Sequence, residues 1–530
     1  MFNKKNKIII IVLLGSIYNI TIIGISVFLM KLIDSIVKIS YKEFKTATLQ
    51  LMTAYIIQII IYGIYSHIKY KYINKQMAEL KSNIYFSIMN KNMTAFYKVS
   101  IDEYISFLFK HIDLLKEKYY INVINIIENI ILFILSLLAI IYIYPYYLIV
   151  VILVIILSMI FPIVFSKRGK NLIDKLSKLN KINIEWIRNS LEGYRIVNTF
   201  KINEKICIEA YEVFSKYQLE ESKMDILLSY LEIGLQLILS LVTVITFVAG
   251  GIIVTKGGLT IGALIALVQL ILNATNPLMS IASSINNIKS TEGIREKCKE
   301  LLSQNKIKGL QLFDFSYEYP LEFIDVTFSY PEEEKSILEN FNFKFERGKK
   351  YCLIGSNGSG KSTLLKLAFG MFNNYKGKIL LYGVDIRDLD DRSIFHTVSY
   401  LKQEVFIFNK NLKDNILVER EGEEALKALK IMEEMGLNRR TKNKDNIIMH
   451  NSLSGGEIKK IGISRMLSRK SPILLVDEGD SDLDNDGLKS YFKILKEEDR
   501  DLVLAISHRL LDNDVFDEII DLDERKLEKV

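Results

Sequence analysis

Five long stretches without a single Asp, Glu, Lys or Arg limit what this sequence can fold into. A membrane-spanning helix needs about 20 consecutive apolar residues. Each stretch reaches that length: Ile8–Met30, Thr46–Ile68, Asn129–Ser166, Ile233–Thr255 and Gly257–Ile288. The third is long enough for two spans, and Tyr144-Pro145 divides it. We therefore predict six transmembrane helices before residue 290. Buried soluble helices are the alternative, which charge-free runs of this length disfavour.

Apolar and polar residues occupy separate blocks of the chain. The 530 residues are 49% hydrophobic and 25% charged, and the charges concentrate outside the five stretches. The net charge of +7 is spread over many lysines, so it gives no indication of nucleic-acid binding. The three cysteines lie far apart and match neither a disulfide framework nor a metal-site spacing. The first span lacks a small-residue cleavage site, so we expect it to remain as helix 1.

Two long polar connections separate the spans. Lys69–Glu128 and Lys167–Glu232 are rich in Lys and Glu, keep helical apolar spacing and contain no proline. They are best explained as helices that continue out of the bilayer, while the short connections belong on the opposite side. The basic N-terminus and both long connections favour the cytoplasm for this side. The short connection Lys31–Lys45, with four Lys and two acidic residues, argues the other way; we still place it outside, because a domain that uses ATP must be cytoplasmic.

The pattern changes after the segment Ser303–Asp314, which we interpret as a linker. Short β-type runs then alternate with helical stretches, as in "LEFIDVTFSY", "KKYCLIG", "KILLYG", "PILLVDE" and "DLVLAISH". Such alternation predicts an α/β domain with a largely parallel sheet. We place the domain boundary between residues 305 and 306, giving domains 1–305 and 306–530.

The segment "GSNGSGKST" matches the phosphate-binding loop GxxxxGK[ST]. It follows an apolar strand and precedes a helix, which is the context that the motif requires. Glycines let backbone N–H groups face the phosphates, the lysine reaches the β- and γ-phosphates, and the following serine would bind Mg²⁺. A chance glycine-rich turn is the alternative. The candidate phosphate-binding residues are Gly355, Ser356, Asn357, Gly358, Ser359, Gly360, Lys361, Ser362 and Thr363.

A second element, "PILLVDEGD", ends a buried strand with two carboxylates. Asp477 suits a direct or water-mediated contact with Mg²⁺, and Glu478 is placed to act as the general base that polarises the attacking water. Alone this would be an ordinary strand end, but downstream of a phosphate loop it is a strong indication of nucleotide hydrolysis.

In its whole length the chain resembles an ATP-binding cassette half-transporter of the six-helix exporter type. "LSGGE" resembles the signature sequence of the family and "SDLD" its D-loop. The resemblance implies a multi-domain membrane protein: an all-α six-helix transmembrane domain with long intracellular helices, followed by an α/β P-loop ATPase domain in the cytoplasm.

The resemblance also assigns roles to single residues. Gln403 would contact Mg²⁺ and face the membrane domain, His508 would contact the γ-phosphate, and Tyr330 would stack on adenine. Asp484 belongs to the D-loop. The signature residues Ser454, Gly455 and Gly456 would cap the γ-phosphate of an ATP held by a partner chain.

The resemblance further indicates where the two domains communicate. Leu191–Lys205 and Asn92–Ser100 lie where the family has coupling segments, which would dock near Gln403. A solvated helical hairpin is the alternative. Glu457 replaces the usual Gln of the signature, and Gly479 and Asp480 follow the catalytic carboxylate where small or hydroxyl residues are commoner.

From these features we expect a membrane ATPase that exports a substrate from the cytoplasm, with ATP and Mg²⁺ as cofactors. Six helices and one nucleotide domain make half a transporter, so a homodimer is expected, with a heterodimer as the alternative. The partners are membrane lipid and the transported substrate, not nucleic acid. A peptide is the leading substrate class, followed by a drug or lipid. An importer of exporter-like architecture and an ATP-gated sensor remain open.

Overall fold

The computed structural model of the chain describes residues 2–303, 314–330, 335–437, 453–507, 514–523 and 526–529. The chain forms two compact units. The helical unit comprises Met1–Tyr85 and Ile105–Leu301. The α/β unit comprises Phe86–Tyr104 and Leu302–Val530.

Long helices make up most of residues 2–303. They are α1 (Phe2–Val37), α2 (Tyr41–Met89), α3 (Met93–Tyr97), α4 (Ile101–Ser106), α5 (Ile112–Leu115), α6 (Ile121–Ile143), α7 (Leu148–Glu192), α8 (Tyr194–Thr199), α9 (Asn203–Thr255), α10 (Ile261–Ser290) and α11 (Glu292–Ser303). Two π-helical turns, Phe107–His111 and Lys116–Tyr120, join α4, α5 and α6 into one continuous path. As predicted, α2, α7 and α9 run on as helices far beyond their apolar segments.

Within the described residues, five helical segments are long and apolar enough to cross a membrane. They are Lys7–Val37, Tyr41–Met89, Ile101–Ile143, Asn203–Thr255 and Ile261–Ser290. The chain turns at Tyr144, which has an extended backbone, and Pro145 begins a short 3-10 turn. The apolar helix Pro145–Leu157 then starts the fourth predicted span; the side chains that follow it, 158–167, lie outside the described residues.

The core of the helical unit is built around α10. Its buried residues Leu267, Leu270 and Ala274 pack with Ile140 of α6 and Val242 of α9. At the start of α10, the carboxylate of Asp34 in α1 accepts hydrogen bonds from the Thr260 hydroxyl and from the Gly262 N–H, both at 2.9 Å. Apolar packing and this shared cap hold α10 against its neighbours.

A polar cluster lies inside the same unit. The Lys69 ammonium of α2 is 3.2 Å from a carboxylate oxygen of Glu128 in α6 and donates to Asn125 Oδ1 at 3.0 Å. Tyr65 donates its hydroxyl proton to the same carboxylate, and Asn19 Nδ2 of α1 donates to the Glu128 carbonyl at 2.8 Å. Only 8% of the Lys69 side chain and 18% of the Glu128 side chain are exposed, so the pair points into the helical bundle.

The α/β unit contains two sheets. Their strands are β1 (Leu321–Phe328), β2 (Leu338–Phe345), β3 (Lys349–Ile354), β4 (Lys376–Leu381), β5 (Val384–Asp385), β6 (Val398–Leu401), β7 (Ile473–Asp477), β8 (Leu502–Ile506), β9 (Glu518–Asp521) and β10 (Lys526–Lys529). The larger sheet has the order β10-β9-β3-β8-β7-β6; the pairs among β9, β3, β8, β7 and β6 are parallel, and β10 is antiparallel at the edge. The largely parallel sheet is thus confirmed.

The smaller sheet is antiparallel and has the order β2-β1-β4-β5. Two of the runs that predicted the parallel sheet, those of β1 and β4, belong here instead. In the second half of β1, buried residues alternate with more exposed ones. This is the pattern of an antiparallel strand that has one side toward a core. The antiparallel pairing of β1 with β2, the next strand in the chain, agrees with that pattern.

Helices flank the larger sheet. They are α12 (Lys361–Ala368), α13 (Asp391–Thr397), α14 (Leu412–Leu417), α15 (Gly422–Glu434), α16 (Gly455–Leu467) and α17 (Asn485–Glu497). One core gathers α12, the smaller sheet and side chains such as Tyr351 and Leu475. A second core lies among α16, α17 and side chains such as Val476 and Ala505. Neighbouring residues of β7 thus contribute to different cores, because their side chains point to opposite faces.

Candidate nucleotide-binding site

The candidate site lies at the carboxyl ends of four adjacent parallel strands. Gly355 follows β3, Gln403 follows β6, Glu478 follows β7 and Ser507 follows β8. In open parallel sheets, ligands bind in the crevice outside these strand ends. The fold therefore brings together residues that lie up to about 150 positions apart in the sequence.

The phosphate loop has the backbone that its glycines permit. Gly355, Gly358 and Gly360 have φ values of 143°, 90° and 97°, in the region that only glycine adopts readily. The loop leads into α12, whose N-terminus carries partial positive charge. Ser356 and Asn357 are exposed at the rim of the loop, where Ser356 donates from its N–H and hydroxyl to the Asp523 carboxylate at 2.5 and 2.9 Å.

The loop fits a triphosphate. The Lys361 ammonium is held by the carbonyls of Gly355 and Ser356 at 2.7 and 2.8 Å, so it is already directed over the loop. The buried Ser359 hydroxyl finds no hydrogen-bond partner among the described residues, and a phosphate oxygen would satisfy it. These groups are donors, which is the chemistry that binding the phosphates of ATP requires.

Oxygen ligands suited to Mg²⁺ meet beside this loop. Ser362 donates its hydroxyl proton to Asp477 Oδ1 and Tyr400 donates to Asp477 Oδ2, each at 3.0 Å. Burial raises the pKa of the Asp477 carboxyl, and the two hydrogen bonds oppose that rise. A serine hydroxyl and a carboxylate are ligands that Mg²⁺ prefers, with the remaining positions filled by phosphate and water. No cluster of three or more His, Cys, Asp or Glu in the described part of the chain offers an all-protein metal site instead.

Glu478 is hydrogen-bonded to Gln403. The Gln403 side-chain amide donates to Glu478 Oε2 at 2.8 Å, so two residues predicted for catalysis are in contact. Glu478 has φ of 50°, a left-handed conformation that is uncommon for a residue other than glycine. Such conformations persist only where the surroundings impose them, which is frequent at functional sites.

The residues after Glu478 explain two departures from the family pattern. A side chain at Gly479 would come within 2.6 Å of the Tyr491 hydroxyl and of Val476, so only glycine fits. Asp480 is 3% exposed and accepts a hydrogen bond from the Ser507 hydroxyl at 2.8 Å. Ser507 directly precedes His508 in the sequence; His508 itself lies outside the described residues.

The signature segment forms the first turn of α16. Ser454 is the N-cap and accepts from the Glu457 N–H at 3.3 Å, while Glu457 accepts from the Ser454 N–H at 2.9 Å. This reciprocal pair is a capping box. Gly455 and Gly456 are the first two residues of the helix, and Ser454 and Gly455 are exposed. Glutamate can make this cap as glutamine does, which accounts for Glu457.

Two predicted ligands also have structural contacts within the chain. Asp484 is the N-cap of α17, accepts from the Gly487 N–H at 3.2 Å and pairs with the Lys460 ammonium at 2.9 Å. The Tyr330 hydroxyl lies 3.2 Å from the Thr363 hydroxyl, so the aromatic side chain is adjacent to the phosphate loop. Its ring packs edge-on against Phe328 and Phe372.

The first predicted coupling segment is part of the α/β unit. Its helix α3 begins at Met93, whose N–H donates to the Asp391 carboxylate at the start of α13. The Lys402 ammonium lies 3.3 Å from the Tyr97 hydroxyl and 5.4 Å from the centre of its ring. Since Lys402 precedes Gln403, this segment reaches the immediate neighbourhood of Gln403.

Sequence reasoning missed several residues of the site. No motif predicts three of its contacts: Tyr400 donates to Asp477, Lys459 donates to the Gln403 carbonyl, and Asp391 of α13 accepts from the Met93 N–H of α3. A signal was available only for Tyr400, which lies in the strand that ends just before Gln403. The others depend on contacts between segments distant in the sequence.

Family models describe both parts of the chain. Residues 8–278 match the model "ABC transporter transmembrane region" and residues 338–481 match the model "ABC transporter". A solved structure titled "Structure of a bacterial Atm1-family ABC exporter with ATP bound" superposes with a TM-score of 0.80 over 99% of this chain and 94% of that chain, at 19% identity. This likeness concerns the fold.

Curated relatives match a large part of the chain. The ATP-dependent lipid A-core flippase of Salmonella typhimurium is 30% identical over 370 residues, 67% of this chain and 63% of that protein. The mitochondrial iron-sulfur clusters transporter ATM1 of Kluyveromyces lactis is 29% identical over 336 residues, 61% of this chain and 46% of that protein. The matched regions thus cover about half to two thirds of these relatives.

Proposed function

This chain belongs to the family of ABC transporters, as a multi-pass membrane protein with a cytoplasmic nucleotide-binding domain, and from that premise we propose that it couples ATP hydrolysis to the export of a substrate from the cytoplasm. The observation that carries the proposal is the meeting of Lys361, Ser362, Asp477, Glu478 and Gln403 at one edge of the parallel sheet.

Each of these side chains has a role in hydrolysis. Lys361 and the loop N–H groups bind the phosphates, and Ser362 with Asp477 would hold Mg²⁺, which neutralises charge on the β- and γ-phosphates. Glu478 accepts a proton from the attacking water. Gln403 orients Glu478. Its neighbour Lys402 contacts Tyr97 of α3, which links hydrolysis to the segment that follows α2.

The working unit that we propose is a dimer, with a second copy as partner. Ser454–Gly456 offers N–H groups at a helix start but no lysine directed to a phosphate, because Lys459 is engaged with the Gln403 carbonyl at 2.8 Å. The segment would therefore complete a site whose phosphate loop comes from the partner chain.

A peptide is the substrate class that we propose. The membrane-spanning helices contain the Lys69–Glu128 pair, a hydrogen bond of 3.0 Å between Asn129 and Ser280, and buried amide atoms of Gln269 and Asn273 that lack a partner among the described residues. Polar groups are expensive inside a bilayer and mark substrate pathways. They favour a substrate with many hydrogen-bonding groups over an acyl chain.

A lipid is the second candidate, because a relative of this chain is named as a lipid A-core flippase. Proteoliposomes with the nucleotide domain outside separate the two. ATP-dependent accumulation of a fluorescent peptide library would support the peptide; movement of a fluorescent phospholipid between leaflets, without peptide uptake, would support the lipid.

The variant Glu478→Gln tests the hydrolytic mechanism. It should bind ATP and remain as a closed dimer, while hydrolysis falls by about 10²- to 10⁴-fold, the usual contribution of a general base. Size-exclusion chromatography with ATP and a phosphate-release assay measure the two effects. Glu433→Gln, at an exposed position of α15, is the matched control. Hydrolysis at the wild-type rate in Glu478→Gln would exclude the proposed role.

A further inference from the structure

Lys459 is a buried lysine in the second turn of α16, five residues after the N-cap Ser454. It is 2% exposed, and its ammonium donates to the main-chain carbonyl of Gln403 at 2.8 Å. Burial lowers the pKa of Lys459, whereas the carboxylates of Asp482, Glu478, Asp477 and Asp480 raise it. The ammonium thus lies in the negative potential of these four carboxylates, two of which, Asp477 and Glu478, are proposed to act in hydrolysis.

Gln403 is held at both ends. Its carbonyl accepts from Lys459, and its side-chain amide donates to the Glu478 carboxylate at 2.8 Å. A continuous path of hydrogen bonds therefore runs from α16 through Lys459 and Gln403 to the catalytic carboxylate. The capping box of Ser454 and Glu457 makes the signature segment the rigid first turn of α16. A shift of the signature segment therefore moves α16 and Lys459 with it.

Packing alone does not account for a lysine at this position. An apolar side chain of similar length would fill the same buried space without the desolvation of a charge, which is costly even when the group is paired. A hydrogen bond from a charged donor is stronger and more directional than an apolar contact. The ammonium therefore fixes the distance between α16 and the Gln403 backbone. An apolar side chain at this position would let that distance vary.

We propose that Lys459 is a positioning residue that makes the orientation of Gln403 on Glu478 depend on the position of α16. Because the first residues of α16 would contact the nucleotide of the partner chain, occupancy of one ATP site sets the catalytic geometry of the other. This inference rests on the proposed dimeric ATPase. It adds a named connection between the two sites, carried by a residue whose ammonium is engaged with the Gln403 carbonyl.

The variant Lys459→Met tests the inference in the full-length chain in proteoliposomes. Methionine keeps the apolar stem and removes the ammonium. We expect kcat for ATP to fall about ten- to a hundredfold, the equivalent of losing one charged hydrogen bond. The KM for ATP should change little, and the Hill coefficient for ATP should fall to 1. Lys430→Met, which removes an exposed lysine of α15, should leave all three unchanged.

A double-variant cycle separates positioning from a structural role. In a Gln403→Ala background the amide that Lys459 positions is gone, so Lys459→Met should lower kcat no further. Additive losses, or a wild-type Hill coefficient in Lys459→Met, would overturn the inference. Lys459→Gln, which keeps a donor without the charge, serves in the same cycle if the methionine variant does not fold. Absence of ATP hydrolysis by the wild-type chain would instead overturn the proposed function.

Discussion

Single residues decide the chemistry of this site through their hydrogen-bond partners. Asp477 would have to be ionised to hold Mg²⁺ as proposed, yet it is 3% exposed and its burial raises its pKa. Ser362 and Tyr400 each donate to one of its carboxylate oxygens and stabilise the ionised form. Burial and the nearby Asp477 raise the pKa of the Tyr400 phenol, so it stays protonated and remains a donor.

The variant Tyr400→Phe should therefore need more Mg²⁺, and on acidification it should lose activity at a higher pH than the wild-type chain does. Without the Tyr400 hydroxyl, the pKa of Asp477 rises further, so protonation abolishes metal binding earlier as the pH falls. The loss of one hydrogen bond to a carboxylate corresponds to about one pH unit. The acid limb of the ATPase pH profile and the Mg²⁺ concentration at half-maximal rate measure the effect.

Tyr375→Phe is the matched control for that variant. The Tyr375 hydroxyl is buried without a hydrogen-bond partner in the described part of the chain, so its removal should leave both profiles unchanged. Equal acid limbs in Tyr400→Phe and the wild-type chain would contradict a role of Tyr400 in keeping Asp477 ionised.

At the scale of elements, helix ends and helix pairs determine how the site and the membrane domain are held. The capping box places Ser454 and Glu457 in reciprocal contact at the start of α16. Glu457→Gln should preserve the box, whereas Glu457→Ala should lower the free energy of unfolding by about 1 kcal/mol. Thermal unfolding of the two variants measures the difference; equal midpoints would show that the cap does not stabilise the domain.

The Lys69–Glu128 pair joins α2 to α6 inside the helical bundle. Lys69→Met leaves a buried carboxylate without its cation and should destabilise the helical unit by about 3–5 kcal/mol. The double variant Lys69→Met/Glu128→Leu removes both charges and should recover most of that loss. Thermal unfolding in detergent is the measurement, and a double variant as unstable as Lys69→Met would show that the pair is not the cause.

Sequence patterns predicted most elements and the motif residues, for identifiable reasons. Charge-free runs are sufficient to predict the membrane-spanning helices α1, α2, α6, α9 and α10, because lipid solvates only apolar helices. The phosphate loop and the strand before Glu478 are local patterns, so a short segment reveals them. The antiparallel sheet escaped prediction because the pairing of β1 with β4 joins residues about 50 to 60 positions apart, which no local pattern encodes. The contacts of Lys459 with Gln403, of Asp391 with Met93 and of Asp480 with Ser507 escaped for the same reason.

At the scale of the whole molecule, the proposed dimer makes each ATP site from two chains. Ser454→Arg should leave ATP binding to a single chain intact but prevent closure and hydrolysis, since a bulky cation would occupy the place of the partner's γ-phosphate. Lys361→Ala should be inactive because the phosphate loop loses its ammonium. Nucleotide-binding and ATPase assays on each purified variant measure these losses.

Co-expression of the two inactive variants should restore activity. A mixed dimer contains one intact site, with the loop from the Ser454→Arg chain and the signature from the Lys361→Ala chain. If half of the dimers are mixed, about a quarter of the wild-type activity is the upper limit, and the coupling of the two sites through Lys459 keeps the recovered activity below it. No recovery in dimers isolated with two different affinity tags would contradict a shared site between identical chains.

The packing of α3 on the α/β unit has a consequence for synthesis of the protein. Met93 and its acceptor Asp391 lie 298 residues apart in the chain. At translation rates of about 5–20 residues per second, α3 emerges about 15–60 s before the surface that it contacts. The membrane helices on either side of α3 can insert during that interval. During the same time α3 lies at the cytoplasmic face without the surface that it later contacts. The nucleotide domain therefore completes its fold on a segment that the membrane has already positioned.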